Sequence, residues 1–210
     1  MKRSEAALLE GGRKLPVMEE FYTLQGEGFN MGKAAYFVRI GGCDVGCAWC
    51  DSKESWDAKL FPPMPVEDVV ERAAQTAAKT VVITGGEPSL YPLDIFTKAL
   101  KEKEITIMLE TSGAHPLSGS WDWICLSPKK NAPPRKDIYS RAHELKVIIQ
   151  KEADLDWAEK NAEMVSESCQ LFLQPEWSVL ETINPLLIDY VMTHPKWRIS
   201  LQAHKFMRIP

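Results

Sequence analysis

The 210-residue chain reads as an α/β protein, an incomplete TIM-like barrel of about six parallel strands with fewer helices than strands. Three observations predict this. Short β-branched runs alternate with helical stretches, which implies parallel pairing through right-handed crossovers. The strands are apolar along their length, as in a sheet buried on both faces. Polar clusters follow the strands, at the end where ligands gather in such folds. There are too few units for a closed eightfold barrel.

The elements follow in order. A strand spans 35–40 (AYFVRI), and 19–25 forms an additional strand near it. A helix spans 66–78, with Pro65 at its start and acids in its first turn. Strand 80–84 (TVVIT) ends in Gly85-Gly86. Helix 93–103 leads into strand 105–110. Strand 121–127 is followed by the Pro-rich loop PKKNAPPRK, and the 119–142 region is too short for a full crossover helix, so one helix is missing there. Strand 144–150, helix 154–165, strand 169–174, a helix over 178–194 kinked or started at Pro185, and a last strand 197–202 complete the chain. Residues 1–16 form an N-terminal extension and 17–210 a single domain.

Composition narrows the class. A hydrophobic fraction of 45% supports an ordinary core, and a net charge of -4 gives no general case for nucleic-acid or membrane binding. No apolar run reaches membrane-spanning length. The lead MKRSEAALLEGGRKLP lacks the apolar centre of a signal peptide. There are 5 cysteines, an odd number, which disfavours a disulfide framework and fits a reducing, cytoplasmic setting. Cys125 and Cys169 fall in apolar runs and read as small buried hydrophobes.

Cys43, Cys47 and Cys50 are spaced C-x3-C-x2-C. Three thiolates are one short of the set that closes an iron–sulfur cluster, which leaves one iron open for chemistry. Zinc would need a fourth ligand, and His115, His143, His194 and His204 are all distant in sequence, although folding can bring one near. Six polar segments converge on the strand ends: 41–52, 85–88, 110–113, 127–129, 174–176 and 202–205.

This cysteine spacing, with Trp49 before the third cysteine, resembles the radical S-adenosylmethionine (SAM) enzymes, and Gly85-Gly86-Glu87-Pro88 is similar to their GGEP stretch. Within that group the chain resembles the 7-carboxy-7-deazaguanine synthases. The similar segments are FYTLQGEG at 21–28, Phe37-Val38-Arg39, Cys50-Asp51, VITGGEP at 82–88, Glu110-Thr111-Ser112-Gly113, Ser127-Pro128-Lys129 and SLQAHK at 200–205. They keep this order from residue 21 onward.

The resemblance implies a radical SAM core that converts 6-carboxy-5,6,7,8-tetrahydropterin to 7-carboxy-7-deazaguanine with loss of ammonia, toward queuosine and other 7-deazapurines. It implies a [4Fe-4S] cluster on Cys43, Cys47 and Cys50, SAM used as a true cofactor, and Mg2+. Ser52 stands where the family usually has threonine as the Mg2+ ligand, with Asp51 beside it as a supporting carboxylate or a plain turn residue. SAM contacts fall to Ala48, Trp49, Cys50, Gly86, Glu87, Ser127, Pro128, Lys129, Gln174, Pro175, Glu176 and Trp177. Substrate contacts fall to Leu24, Gln25, Gly26, Glu27, Arg39, Thr84, Gln202, His204 and Pro210, the last through its carboxylate.

Each has a plainer reading. Arg39 suits a rim ion pair, the 25–28 stretch a glycine turn, Lys129 a solvated loop charge, and His204 a cap. The implied partners are a small pterin, a flavodoxin or ferredoxin as electron donor, and a second copy in a homodimer. Two alternatives remain open at this point, a glycyl-radical-enzyme activase and a non-catalytic metal-binding module.

Overall fold

The computed structural model describes residues 9–210. The first eight residues, half of the expected N-terminal extension, lie outside the described residues. The other half packs on the domain: Leu9 and Leu15 are buried in its main core, and β1 (Lys14–Leu15) pairs with β4 (Met64–Pro65).

Eight strands form one sheet. In spatial order they are β10 (Trp197–Ile199), β9 (Gln170–Pro175), β8 (Glu144–Ile149), β7 (Trp123–Leu126), β6 (Thr106–Thr111), β5 (Thr80–Gly85), β3 (Ala34–Ile40) and β2 (Val17–Leu24). All neighbours are parallel except β2 and β3. The parallel strands number seven, in line with the expected open barrel of about six, and the short β10 is a full member of the sheet. β2 and β10 are the two ends of the sheet order and do not pair with each other, so the barrel is open as expected.

Helices cover the outer face. α1 (Val66–Ala74) and α2 (Asp94–Glu102) pack with β3, β5 and β6 in one aliphatic cluster. α3 (Lys136–Tyr139), α4 (Asp154–Ala162) and α5 (Leu180–Thr193) pack with β7 to β10 in a second. α3, a single turn, is all that stands where a crossover helix was expected to be missing. α1 stops four residues short of 78 because the Thr76 hydroxyl takes the Ala73 carbonyl at 2.7 Å and Lys79 turns left-handed at φ 48. Pro185 lies inside α5 instead of starting it. The last strand ends at Ile199, and α6 (Ala203–Met207), not foreseen in the sequence, follows it.

The loop between β2 and β3 plugs the open side. Gly26 accepts the Ala203 amide at 2.8 Å, and the Gly28 amide donates to Ser200 Oγ at 2.9 Å, so the loop is tied to the segment after β10. Phe29 stacks on Trp123 with centroids 4.8 Å apart, and its amide donates to Glu144. Glycine is required at 28: φ is 63, and a Cβ there would sit 1.9 Å from Glu144 Oε1.

Candidate active site

The inner face of the sheet opens into a cavity of about 440 Å³ at the C-terminal ends of the parallel strands. A small apolar layer of Ala35, Phe37, Val82 and Met108 packs with Phe21 and Trp123, and Phe21 and Phe37 of this layer line the cavity. Period-two alternation places these residues inward and their neighbours under the helices.

The cysteine loop after β3 forms one wall. Its backbone is pinned at Gly42 N to Ser55 O (2.6 Å) and at Cys43 N to Trp56 O (3.1 Å). His115 Nε2 lies 2.9 Å from Asp44 Oδ1, and Asn131 Nδ2 donates to the Val45 carbonyl. Cys43, Cys47 and Cys50 are half-buried free thiols that line the cavity. Burial pushes the Cys43 and Cys47 thiols above the usual thiol range. Among the described residues no three Cys, His, Asp or Glu side chains converge as ligands of one ion. A multi-iron cluster instead spreads three thiolates over three irons.

The GGEP loop after β5 docks on the cysteine loop. Gly86 N donates to Ile40 O at 2.9 Å and Glu87 N to Gly42 O at 2.8 Å. A Cβ at Gly86 would come within 2.2 Å of Gly42 O and 2.9 Å of Cys43 Cβ. The Glu87 carboxylate is engaged inside the protein: Oε1 accepts from Ser89 N (3.0 Å), Ser89 Oγ (2.6 Å) and Thr111 Oγ1 (2.6 Å), and Oε2 from the amide and hydroxyl of Ser112. It therefore couples the loops after β5 and β6.

Lys129 lies 5.5 Å from the centroid of Trp49 and donates to Ser127 O and Oγ, both at 2.7 Å. Burial lowers its pKa. It is a half-buried cavity residue, not a solvated loop charge. Gln174 lines the cavity and accepts from Ser200 Oγ at 2.6 Å. Pro175, Glu176 and Trp177 line an adjoining groove with Trp49 and Asp51. Glu176 caps its own turn through the Ser178 amide at 3.0 Å. Ala48 and Pro128 line neither space.

Much of the remaining lining is polar or charged. Leu24, Gln25, Gly26, Glu27, Arg39, Thr84, Gln202, His204 and Pro210 all line this same cavity, so the structure brings every expected substrate residue together. Arg39 Nε donates to Glu19 at 2.6 Å, so the rim ion pair and the cavity position coexist. Gln25 Nε2 donates to Glu110 at 3.3 Å. Glu27 accepts from Lys146 Nζ at 2.6 Å and from Gln202 Nε2 at 3.0 Å. Burial works against the charged form of Glu27, but the Lys146 charge and these bonds win and hold its pKa at about 2. Gln202 also reaches Asp51 Oδ2 at 3.2 Å, and Lys205 reaches it at 3.4 Å. His204 packs on Gly26, where a Cβ would meet its ring at 2.3 Å; burial lowers its pKa. Ser52 lines the cavity beside Asp51, and its amide donates to Cys50 Sγ at 3.4 Å.

Sequence reasoning missed Lys146 as a site residue and did not count Glu110 among the contacts. The available signal was a lysine two residues after a glutamate inside the apolar run ELKVIIQ, which puts two charges on one face of a buried strand.

The radical SAM superfamily profile matches residues 37–130. A 7-carboxy-7-deazaguanine synthase of Flavobacterium psychrophilum is 54% identical over 202 residues, 96% of each chain. One of Synechocystis is 46% identical over 92% of this chain and 93% of its own. The crystal structure of QueE from Escherichia coli superposes with a TM-score of 0.82 at 30% identity, covering 97% of this chain and 100% of that one. Streptococcus suis SuiB, solved with S-adenosylmethionine, shares the fold at 15% identity, with a TM-score of 0.50 over 75% of this chain and 44% of its own.

Proposed function

The chain belongs to the 7-carboxy-7-deazaguanine synthase family of radical SAM enzymes, and on that premise we propose how its own residues divide the work. Its function is the ring contraction of 6-carboxy-5,6,7,8-tetrahydropterin to 7-carboxy-7-deazaguanine in queuosine biosynthesis. The observation that carries the residue assignments is the lining of one cavity, which holds three thiols together with an arginine and a carboxylate–lysine array.

Cys43, Cys47 and Cys50 hold the [4Fe-4S] cluster. The docked cysteine and GGEP loops fit it: they leave the thiols facing the cavity and allow no side chain at position 86. When bound, cluster and SAM supply the 5′-deoxyadenosyl radical that takes a hydrogen atom from the substrate. Trp49, Gly86, Ser127, Lys129 and Gln174 bound the SAM space, which Pro175, Glu176 and Trp177 extend into the adjoining groove. Ala48 and Pro128 shape the turns behind it. Glu87 is a positioning residue that fixes the GGEP loop.

Arg39 grips the substrate carboxylate, since a guanidinium matches that geometry with paired donors. Gln25, Glu27 and His204 meet the pterin edge, and Gly26 lets the backbone approach it. Thr84, Leu24, Gln202 and Pro210 complete the walls. Ser52 supplies a protein oxygen to Mg2+, which prefers oxygen ligands and keeps waters, with Asp51 behind it. We further propose a flavodoxin or ferredoxin as electron donor, a homodimer, and a cytoplasmic location. A cavity of about 440 Å³ suits a small molecule rather than a polypeptide, which favours this reading over a glycyl-radical activase.

The test is anaerobic. Reconstituted protein is given reductant, SAM, Mg2+ and carboxytetrahydropterin, and the deazaguanine is followed by its absorbance. An intact cluster that yields no deazaguanine would reject the reading; Mg2+ omission tests Ser52.

A further inference from the structure

No motif assigns Lys146, yet it is the most enclosed cation of the cavity. It stands on the inner face of β8, two residues after Glu144, and is 4% exposed. Its ammonium donates to Glu27 Oε2 at 2.6 Å and to Glu110 Oε2 at 2.9 Å. One cation thus joins a carboxylate of the plug loop to one of β6, elements 119 and 36 residues away along the chain. The other oxygens are also set: Gln202 holds Glu27 Oε1, and Gln25 reaches Glu110 Oε1 at 3.3 Å.

The other charged and titratable groups around Lys146 do not replace it. Cys125 on β7 lies beside Glu110, and burial pushes its thiol far up. Glu144, on the same strand, is driven upward by burial, and its Oε1 has no hydrogen-bond partner. His204 faces Glu27, with burial opposing its charge, and Lys129 lies toward Cys47 with its pKa lowered. Without Lys146, carboxylates from two elements would share one cavity wall with no buried cation hydrogen-bonded to them, and their partial burial and mutual repulsion would then favour proton uptake.

We propose that Lys146 is a positioning residue for substrate recognition: it holds Glu27 and Glu110 together in the cavity as a preformed acceptor pair for the N–H edge of the substrate. A pterin's aminopyrimidinone edge presents adjacent N–H donors. A carboxylate accepts both, whereas a protonated acid meets one of them with its own donor. This inference rests on the substrate assignment above and adds the residue that keeps its acceptors in the accepting form.

The test compares the holoenzyme with Lys146→Met, Lys146→Arg and the double variant Lys146→Met/Glu110→Gln. KM for carboxytetrahydropterin is measured from about pH 6 to about pH 8.5, and iron content reports folding. In Lys146→Met the KM ratio to wild type is expected to be about 30-fold or more at the acid end and to fall about tenfold toward the alkaline end, with kcat little changed. Lys146→Arg should stay within about fivefold throughout, since it keeps the charge and the donors.

If Lys146→Met fails to load its cluster, the double variant carries the test, because it removes one charge of each sign and still leaves Glu27 without its cation. Its ratio should also rise as pH falls. A ratio that is flat with pH, or a KM equal to wild type, in whichever variant loads would overturn the proposal. Wild-type enzyme that forms no deazaguanine would overturn the substrate assignment itself, and the proposal with it.

Discussion

The first four residues of β8 are all buried, yet its two faces differ in chemistry. Leu145, Val147 and Ile149 point outward and are 0% exposed beneath the helices. Glu144 and Lys146 point inward and are 3% and 4% exposed. The same inward and outward division runs across the sheet, with Ile83 and Leu109 outside and the half-buried Thr84 and Glu110 inside. At Glu144 and Lys146, burial therefore does not separate core from site. What separates them is whether the buried group is satisfied by packing or by charge. The outer face should govern stability and the inner face should govern chemistry, and substitutions can push that division until it breaks.

The largest effect is expected at the cavity's thiols. Cys47→Ala should abolish cluster retention and turnover, a loss of at least about 10⁴-fold, since two thiolates cannot hold the cluster. Iron analysis and product assay check this, and the apoprotein's melting temperature should barely move. On the outer face, Leu109→Ala should cost about 2–5 kcal/mol and lower Tm by roughly 5–15 °C, because the cavity left in a packed core relaxes only partly. Its KM for the pterin should stay within about twofold of wild type, because Leu109 touches no ligand group. A large KM change there would break the division.

Arg39→Met returns to the inner face. Loss of a charged hydrogen-bonding partner should raise KM by about 10- to 100-fold with little loss of stability, since among the described residues its ion pair is with the rim residue Glu19. Titration gives a smaller signal. Glu27 has its pKa lowered from 4.5 to about 2, so it stabilises the fold above its unfolded value and loses that contribution as pH falls from about 4.5 toward 2. Urea unfolding across that range should show the decline in wild type and a shallower one in Glu27→Gln. Ser52→Thr should be the mildest change, within about threefold of wild type in Mg2+-dependent activity, since both hydroxyls offer the same oxygen.

The same contrast explains what could be read from the chain. The outer face was legible because TVVIT, ITIML and CQLFL are mostly apolar runs, and aliphatic burial depends largely on local pattern. The cysteine and GGEP loops were legible because their spacing is local. The inner face was less so. The local pattern in ELKVIIQ marks two charges on one buried face, but Lys146 gains its meaning from acceptors far away in sequence, which that pattern does not name. Glu87 read as a SAM contact because its motif does, yet its carboxylate is consumed by Ser89, Thr111 and Ser112. The plug loop looked like a glycine turn, and α6 was hidden because its five residues are too few to show a helical period.

The most direct measurement of the central claim is a product count at limiting SAM. Holoenzyme with excess carboxytetrahydropterin should release one ammonia per 7-carboxy-7-deazaguanine and form more than one product molecule for each SAM supplied. SAM cleaved to 5′-deoxyadenosine with no deazaguanine and no ammonia, in protein carrying its full cluster, would contradict the account.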